Sequence, residues 1–157
     1  MTTSSIGLAT EDLVKLAPEL NILLANYQIL YMNTRGYHWN ITGPQFFQLH
    51  VKFEEMYNDL LLKVDEIAER ILTVEAQPLH TFSDYLAHAE IKEHKNVHDA
   101  KSCIDGLLSG LQTLLIRQRT SLSMAADAGD EGTVALMSDY IQQQEKTVWM
   151  LRSFRQA

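Results

Sequence analysis

Apolar residues recur every three or four positions along most of the chain, a spacing that predicts long amphipathic helices. The first helix is predicted to start at Thr10, as its N-cap, and to run to about Trp39. Pro18 either kinks this helix or moves its start to Ala17. The helix is predicted to end there because the Thr-Gly-Pro sequence at 42–44 is a strong helix breaker.

A second helix is predicted from Pro44, as its first helical residue, to about Val74. One stripe of this segment is apolar and is predicted to face the core: Phe53, Tyr57, Leu60, Val64, Ile67 and Ile71. Charged residues fall mostly on the opposite side, which is predicted to face solvent: Lys52, Asp59, Lys63, Glu66 and Arg70.

Three more helices follow in the pattern. After Gln-Pro at 77–78, Ser83 is predicted to cap a short helix over 84–89. A third long helix is predicted over 89–126, where Gly106 and Gly110 lie four residues apart and permit close packing. A turn at 127–130 precedes the last helix, over 132–154, whose buried side is predicted to hold Val134, Met137, Ile141, Val148 and Leu151. Four long helices with a crossover in the middle predict an all-α, ferritin-like four-helix bundle.

The length of 157 residues suits one domain, 1–157, with residues 1–10 as a short tail. With 13 Lys and Arg against 20 Asp and Glu, the net charge of −7 disfavours nucleic acid and anionic membranes and favours cations. The tail has no Lys or Arg, so it resembles neither a secretory signal nor a basic DNA-binding arm. No apolar run approaches the roughly 20 residues of a membrane helix. The single Cys103 excludes an internal disulfide and suits a cytoplasmic location.

Metal-binding residue types occur at helical spacing around the second helix. His38 ends the first helix, while His50 with Glu54 and Asp65 with Glu69 form two i, i+4 pairs on the second. Side chains four residues apart share a helix face, so each pair can present two ligands to one metal. The alternative is that these are ordinary polar residues of a surface or an interface.

The two pairs cannot form one site within one chain. Fifteen residues separate His50 from Asp65, which is roughly 22 Å along a helix axis. The pairs are symmetric about Asp59 and Leu60. A two-fold axis there would bring His50 and Glu54 beside Asp65 and Glu69 of a second copy. The spacing therefore predicts two identical sites between the subunits of a dimer.

The predicted ligand set combines two imidazoles with three carboxylates and no thiolate. Such a set suits Fe(II) or Mn(II), and zinc can still compete for it. Trp39, next to His38, either donates an electron or simply walls the site.

Two segments resemble the signatures of the Dps family of mini-ferritins. They are residues 37–50, with Tyr-His-Trp-Asn at 37–40 and Gly-Pro-Gln-Phe-Phe-Gln-Leu-His at 43–50, and residues 65–70, Asp-Glu-Ile-Ala-Glu-Arg. Gly-Asp at 129–130 and Trp-Met at 149–150 are similar to the end of the family pattern, and the likeness spans residues 11–154. Glu54 stands where some members of the family carry Asp.

The resemblance implies a ferroxidase centre between two subunits, with one subunit giving His38, His50 and Glu54 and its partner giving Asp65 and Glu69. It also implies a hollow shell of twelve subunits that oxidises Fe(II), preferentially with hydrogen peroxide, and stores a ferric mineral. Such a homo-oligomer would detoxify iron and protect the cell from oxidative damage.

Other charged residues have two interpretations each. Asp127, Asp130 and Glu131 either line an acidic pore that attracts Fe(II) or are solvated turn residues. Glu55 either nucleates mineral in the cavity or is simply exposed. The third set, Glu90, His94 and His98 at i, i+4 spacing on the third long helix, is either an extra transition-metal site or a solvated face.

Three functions are compatible with this sequence. The first is an iron-oxidising storage enzyme. The second is a structural shell for DNA compaction or adhesion with incidental metal binding, against which the non-basic tail argues. The third is a large ferritin with Glu-x-x-His motifs inside one bundle, and the sequence contains no such motif.

Overall fold

The computed structural model describes residues 2–156, which contain five α-helices: α1 Thr10–Asn40, α2 Phe46–Thr73, α3 Phe82–His88, α4 Ala100–Asp127 and α5 Glu131–Arg155. α1 packs against α2 and α4, and α4 packs against α5. The short α3 lies against α1 in the crossover that joins α2 to α4. The predicted four-helix bundle with a short helix in its crossover is confirmed. Over residues 2–156, no helix combines the length and the apolar character that crossing a membrane requires.

The four long helices share one hydrophobic core. The apolar stripe predicted for α2 faces this core, with Phe53 and Ile67 fully buried and Tyr57 at its edge. The predicted close packing at the α4 glycines is also confirmed, because a Cβ at Gly110 would lie 2.5 Å from the Cδ1 of Leu30. Burial of the apolar stripes therefore determines how the helices pack.

Lys63 is the exception on α2, since it is only 3% exposed and the prediction that it faces solvent is wrong. Its Nζ donates to both carboxylate oxygens of Asp59, at 2.7 and 2.6 Å, and to Oε1 of Gln143 at 3.0 Å. The ammonium also lies 5.2 Å from the centroid of the Tyr140 ring. The long side chain is thus buried along the bundle while its charge is fully paired.

Two predicted helix starts near the front of the chain are wrong. α1 begins at Thr10 itself, with Ala9 as N-cap, and the N–H of Thr10 donates to the carbonyl of Thr2 at 3.0 Å. Pro18 lies inside α1 without ending it, so the alternative start at residue 17 is also wrong. Pro44 precedes α2, which begins at Phe46 after a turn at Gly43, where φ is +110°.

The crossover differs most from the prediction. α3 is capped by Thr81 and not by Ser83, since the Thr81 hydroxyl accepts the N–H of Asp84 at 3.2 Å. α4 begins at Ala100 and not at residue 89, with Asp99 accepting the N–H of Ser102 at 2.9 Å.

Side chains of α1 explain why residues 89–99 are not helical. Oδ1 of Asn26 accepts the N–H groups of Glu90 and Ile91, both at 2.9 Å. Asn33 likewise accepts the N–H of His94 at 3.0 Å and donates to the carbonyl of Lys92 at 2.9 Å. These hydrogen bonds satisfy backbone groups that a helix would otherwise have to pair. The crossover is therefore held extended along α1.

Candidate metal centre

His38 and His50 meet where α1 ends and α2 begins. The turn at Gly43 reverses the chain, so the two imidazole rings stack with centroids 3.9 Å apart and an angle of 13° between their planes. Nδ1 of His38 lies 2.6 Å from the carbonyl oxygen of His50, and Nδ1 of His50 lies 2.8 Å from the carbonyl oxygen of His38. The two residues thus hold each other by a reciprocal pair of hydrogen bonds.

This arrangement determines the tautomer of both rings. A carbonyl oxygen only accepts, so each Nδ1 must carry the hydrogen and donate it. In the neutral form, Nε2 of each ring is then unprotonated and keeps a free lone pair. A histidine held in this way by a backbone carbonyl is a typical metal ligand.

Glu54 adds a carboxylate to the two imidazoles. Its Oε1 lies 3.7 Å from Nε2 of His38, and the carboxylate is about half exposed. Aromatic rings surround the histidines: Phe46 stacks on His50 at 5.0 Å, and Tyr57 meets His38 edge to face at 5.3 Å. Three of the five predicted ligands therefore converge at one end of the α1–α2 pair.

Asp65 and Glu69 lie elsewhere in the same chain. Both are exposed on α2, and Asp65 is roughly 22 Å along the helix axis from His50. Within residues 2–156, no three His, Cys, Asp or Glu side chains come close enough together to hold a metal ion. A single chain thus offers two separate parts of the predicted ligand set, and the complete set stays a prediction.

Two residues near the histidines were not predicted from the sequence to belong to the site. Tyr57 contacts the His38 ring, and Arg35 lies between Tyr57 and Trp39, with its Cζ 5.0 and 5.2 Å from their ring centroids. Trp39 is 58% exposed. Arg35 precedes His38 by three residues, so the only signal in the sequence was its place on the same helix face.

The predicted pore and mineral residues differ in their surroundings. Asp127, Glu131 and Glu55 are exposed, and Glu55 lies 3.5 Å from Lys52. Their predicted roles stay predictions.

Asp130 is 1% exposed, which argues against the pore role predicted for it. Its Oδ1 accepts from Arg70 at 2.6 Å and from the N–H of Thr133 at 3.1 Å, while Oδ2 accepts the Thr133 hydroxyl at 2.5 Å. Both carboxylate oxygens are thus engaged inside the chain. We therefore assign Asp130 a structural role as the cap of α5.

The extra metal site predicted at Glu90, His94 and His98 is not formed, because these residues do not lie on a helix. Glu90 pairs with Arg117, and Nδ1 of His98 lies 3.3 Å from the carbonyl of residue 40. Burial raises the pKa of Tyr37, so its hydroxyl stays protonated, and it forms a hydrogen bond with Nδ1 of His94 at 2.5 Å. Each of the three side chains has a partner of its own.

Comparison with known proteins shows what this chain is similar to. Residues 18–157 match the family model of the ferritin-like domain. A DNA protection during starvation protein from Porphyromonas gingivalis is 43% identical over 148 residues, which cover 94% of this chain and 93% of that protein. The DNA protection during starvation protein 2 from Bacillus anthracis is 34% identical over 135 residues, which cover 86% of this chain and 92% of that protein.

Solved structures agree with this similarity. A Dps protein from Vibrio cholerae O1, a member of a broad superfamily of ferritin-like diiron-carboxylate proteins, is 60% identical with a TM-score of 0.96 and covers 98% of this chain and 97% of its own. Dps from Staphylococcus aureus, known from a crystal structure, is 32% identical with a TM-score of 0.87. The match covers 90% of this chain and 95% of that chain. The predicted ferritin-like fold is confirmed.

Proposed function

Because this chain belongs to the Dps family of ferritin-like proteins, we propose that it oxidises Fe(II) at a centre shared by two subunits and stores the ferric product inside a hollow shell. Membership of the superfamily supports a general role in iron storage. The finer proposal adds a ferroxidase activity, a shell of twelve subunits built from two-fold dimers, and hydrogen peroxide as the preferred oxidant. Fe(II) is then a substrate, and the protein protects against oxidative damage.

The observation that carries the proposal is the reciprocal hydrogen bonding of His38 and His50. Both rings are held with Nε2 free, beside the carboxylate of Glu54. Imidazole and carboxylate together suit Fe(II) and Mn(II), and zinc is a plausible competitor. Each Fe(II) would give up one electron, and peroxide would take two electrons and two protons to become water.

A two-fold axis beside Leu60 supplies the remaining ligands. Such an axis pairs α2 with an antiparallel copy and sets His50 and Glu54 opposite the partner subunit's Asp65 and the partner subunit's Glu69. Leu61 and Leu62 lie beside this axis and are 46% and 67% exposed in the single chain. Exposed leucines at this place support burial of this face against a second copy.

The bundle interior argues against a metal site within one chain. Where such a site would need carboxylates and histidines, the core holds a neutral network instead. Gln144 donates to the Tyr27 hydroxyl at 2.7 Å, and Gln118 donates to Gln144 at 2.9 Å. These buried groups satisfy one another. A large ferritin with an internal site is therefore a weaker proposal.

The second candidate function, a shell that compacts DNA, has less support. The N-terminal tail carries no Lys or Arg, and the net charge is −7. Residues 2–9 also fold back on the chain, where the N–H of Ser5 donates to Glu75 at 2.7 Å. DNA affinity depends chiefly on cations that neutralise phosphate. We therefore expect DNA binding to be incidental.

The first test is iron oxidation and retention. Fe(II) is added anaerobically to the purified protein, peroxide is injected, and ferric absorbance is followed before the sample is passed over a sizing column. We expect rapid oxidation and iron that elutes with a large particle. Oxidation no faster than in protein-free buffer, with iron precipitating outside the particle, would reject the storage enzyme.

A second test asks whether two chains share the site. His50→Ala and Asp65→Ala subunits are unfolded together, mixed in equal amounts and reassembled. In each mixed dimer one of the two sites regains every ligand, so about a quarter of the original oxidation rate should return. Each variant reassembled alone is the matched control. Correctly assembled mixed particles without any activity would contradict a shared site.

A further inference from the structure

Arg35 is a half-buried cation enclosed by aromatic rings. Its Cζ lies 5.9 Å from the ring centroid of Tyr31, 5.2 Å from that of Trp39 and 5.0 Å from that of Tyr57. One amino group, Nη1, donates to the Tyr31 hydroxyl at 2.5 Å. The side chain is therefore held in one place, since three aromatic rings surround the guanidinium.

No anion neutralises this cation within the described chain. Over residues 2–156, no carboxylate lies within 4.0 Å of Arg35, and its Nε is buried without a hydrogen-bond partner. A guanidinium offers five N–H donors, of which the Tyr31 hydroxyl takes one. Partial burial of an unpaired charge is costly. The remaining N–H groups therefore suit a carboxylate that another molecule brings.

The position of Arg35 indicates which carboxylate this is. Arg35 lies over Tyr57, and under the two-fold axis proposed above, the partner subunit's Asp65 lies level with Glu54. That is three residues from Tyr57, or roughly 4.5 Å along α2, whereas the partner subunit's Glu69 is roughly 10 Å away. Asp65 is exposed and, among residues 2–156 of its own chain, has no ion-pair partner.

Other acids on this part of α2 are already engaged. Asp59 pairs with Lys63, and Glu66 accepts the Tyr140 hydroxyl at 2.7 Å. Glu55 lies against Lys52. Asp65 is thus the acid that is both free and close enough.

We propose that Arg35 forms an ion pair with the partner subunit's Asp65 and holds that carboxylate in position before metal arrives. The inference rests on the proposed two-subunit site. In this role Arg35 is a positioning residue: it acts through the carboxylate, and its aromatic surroundings keep it from swinging away. The ion pair also couples dimer formation to assembly of the ligand set, because one contact serves both.

The test uses full-length, metal-free protein in the presence of a chelator. Particles labelled with two different fluorophores are mixed, and the rate at which subunits exchange between them is measured for wild type, Arg35→Gln, Asp65→Asn and the double variant. Each single variant should raise the exchange rate at least about tenfold, and the double variant should exchange no faster than the faster single variant. Exchange of Arg35→Gln at the wild-type rate, or single effects that multiply in the double variant, would overturn the ion pair.

Two further variants separate charge from packing. Tyr31→Phe removes the hydroxyl that Arg35 uses within its own chain but leaves the charge, so it should exchange at nearly the wild-type rate. Exchanging the charges, Arg35→Asp with Asp65→Arg, should recover much of the slow exchange that either reversal alone loses. A charge exchange that recovers nothing would overturn the proposal even if Arg35→Gln folds poorly.

Failure of the ion pair can be distinguished from failure of the proposed function. If Asp65→Ala and His50→Ala subunits regain iron oxidation on mixing while Arg35→Gln leaves the exchange rate unchanged, the shared site stands and the ion pair is wrong. If mixing recovers no activity, the shared site itself is wrong, and the ion pair fails with it.

Discussion

His38 and His50 each donate the Nδ1 hydrogen to the other's backbone carbonyl, at 2.6 and 2.8 Å. The contact joins the last turn of α1 to the first turn of α2, and it keeps Nε2 of both rings free. The same two hydrogen bonds thus connect the two helices and leave Nε2 of each ring available to bind a metal. Different atoms of one ring serve the two purposes, so substitution can separate them.

His50→Asn should separate these roles. The Asn amide can take the place of Nδ1 and donate to the His38 carbonyl, but it offers nothing in place of Nε2. We expect His50→Asn to be about 0.5–1.5 kcal/mol more stable than His50→Ala, since it keeps one hydrogen bond. Both variants should lose at least about tenfold in metal affinity. Urea unfolding of the metal-free protein and calorimetric titration with Zn(II) measure the two effects, and equal stability of the two variants would contradict the assigned role of Nδ1.

Removing the charge of Glu54 should impair iron oxidation without loss of fold. In Glu54→Gln the neutral amide cannot replace the carboxylate oxygen beside His38, and the rate should fall at least about tenfold. Glu145→Gln is the matched control, because Glu145 forms only a surface ion pair with Arg119. Stopped-flow absorbance after peroxide addition measures the rate. A normal rate in Glu54→Gln would remove Glu54 from the site.

The buried Lys63 should depend on Asp59. Asp59→Asn removes the counter-charge and leaves the buried ammonium with only neutral acceptors and the Tyr140 ring, so it should cost about 1–3 kcal/mol in the free energy of unfolding. Lys63→Met removes the charge and keeps the shape, so it should cost less than Asp59→Asn. Urea unfolding measures both variants. A larger loss for Lys63→Met would show that packing of the lysine, and not its charge, matters most.

Substitution of two glycines by alanine should change the stability of the fold in opposite directions. A Cβ at Gly106 would lie 2.9 Å from Nδ1 of His94 and would overlap the Tyr37 hydroxyl, so Gly106→Ala should destabilise by about 1–3 kcal/mol. Gly36, inside α1, has no atom within 4 Å of the added Cβ. Gly36→Ala should therefore stabilise by about 0.4–1 kcal/mol. Thermal unfolding of the two variants, compared with wild type, checks the pair of signs.

Cys103 should be unreactive in the native protein. Burial, and then the negative charge of Asp99, raise its pKa from 9.0 to about 12, so the thiol stays protonated. Alkylation by iodoacetamide at pH 8 should be at least about a hundredfold slower than in denaturant. Above pH 9.0 the unfolded thiol ionises and the native one does not, so this group lowers the stability of the fold between about pH 9 and pH 12. Cys103→Ser should lose that part of the alkaline dependence.

Periodicity and breakers predicted the long helices well, and the largest error has a tertiary cause. The onset of α4 was predicted eleven residues too early because no Gly or Pro interrupts residues 89–99. What prevents a helix there is hydrogen bonding from Asn26 and Asn33 on α1. Hydrogen bonds from a distant helix leave no local sequence signal.

The sequence by itself determined the helical bundle, the family resemblance and the two i, i+4 pairs on α2, because apolar spacing and ligand spacing are properties of one helix. Only the tertiary structure decided the pairing of His38 with His50, the burial of Lys63, the structural role of Asp130 and the position of Arg35 beside Tyr57. These depend on which side chains of different helices meet when the core closes. These contacts between helices depend on packing across the whole bundle, and the local pattern of the sequence does not encode them.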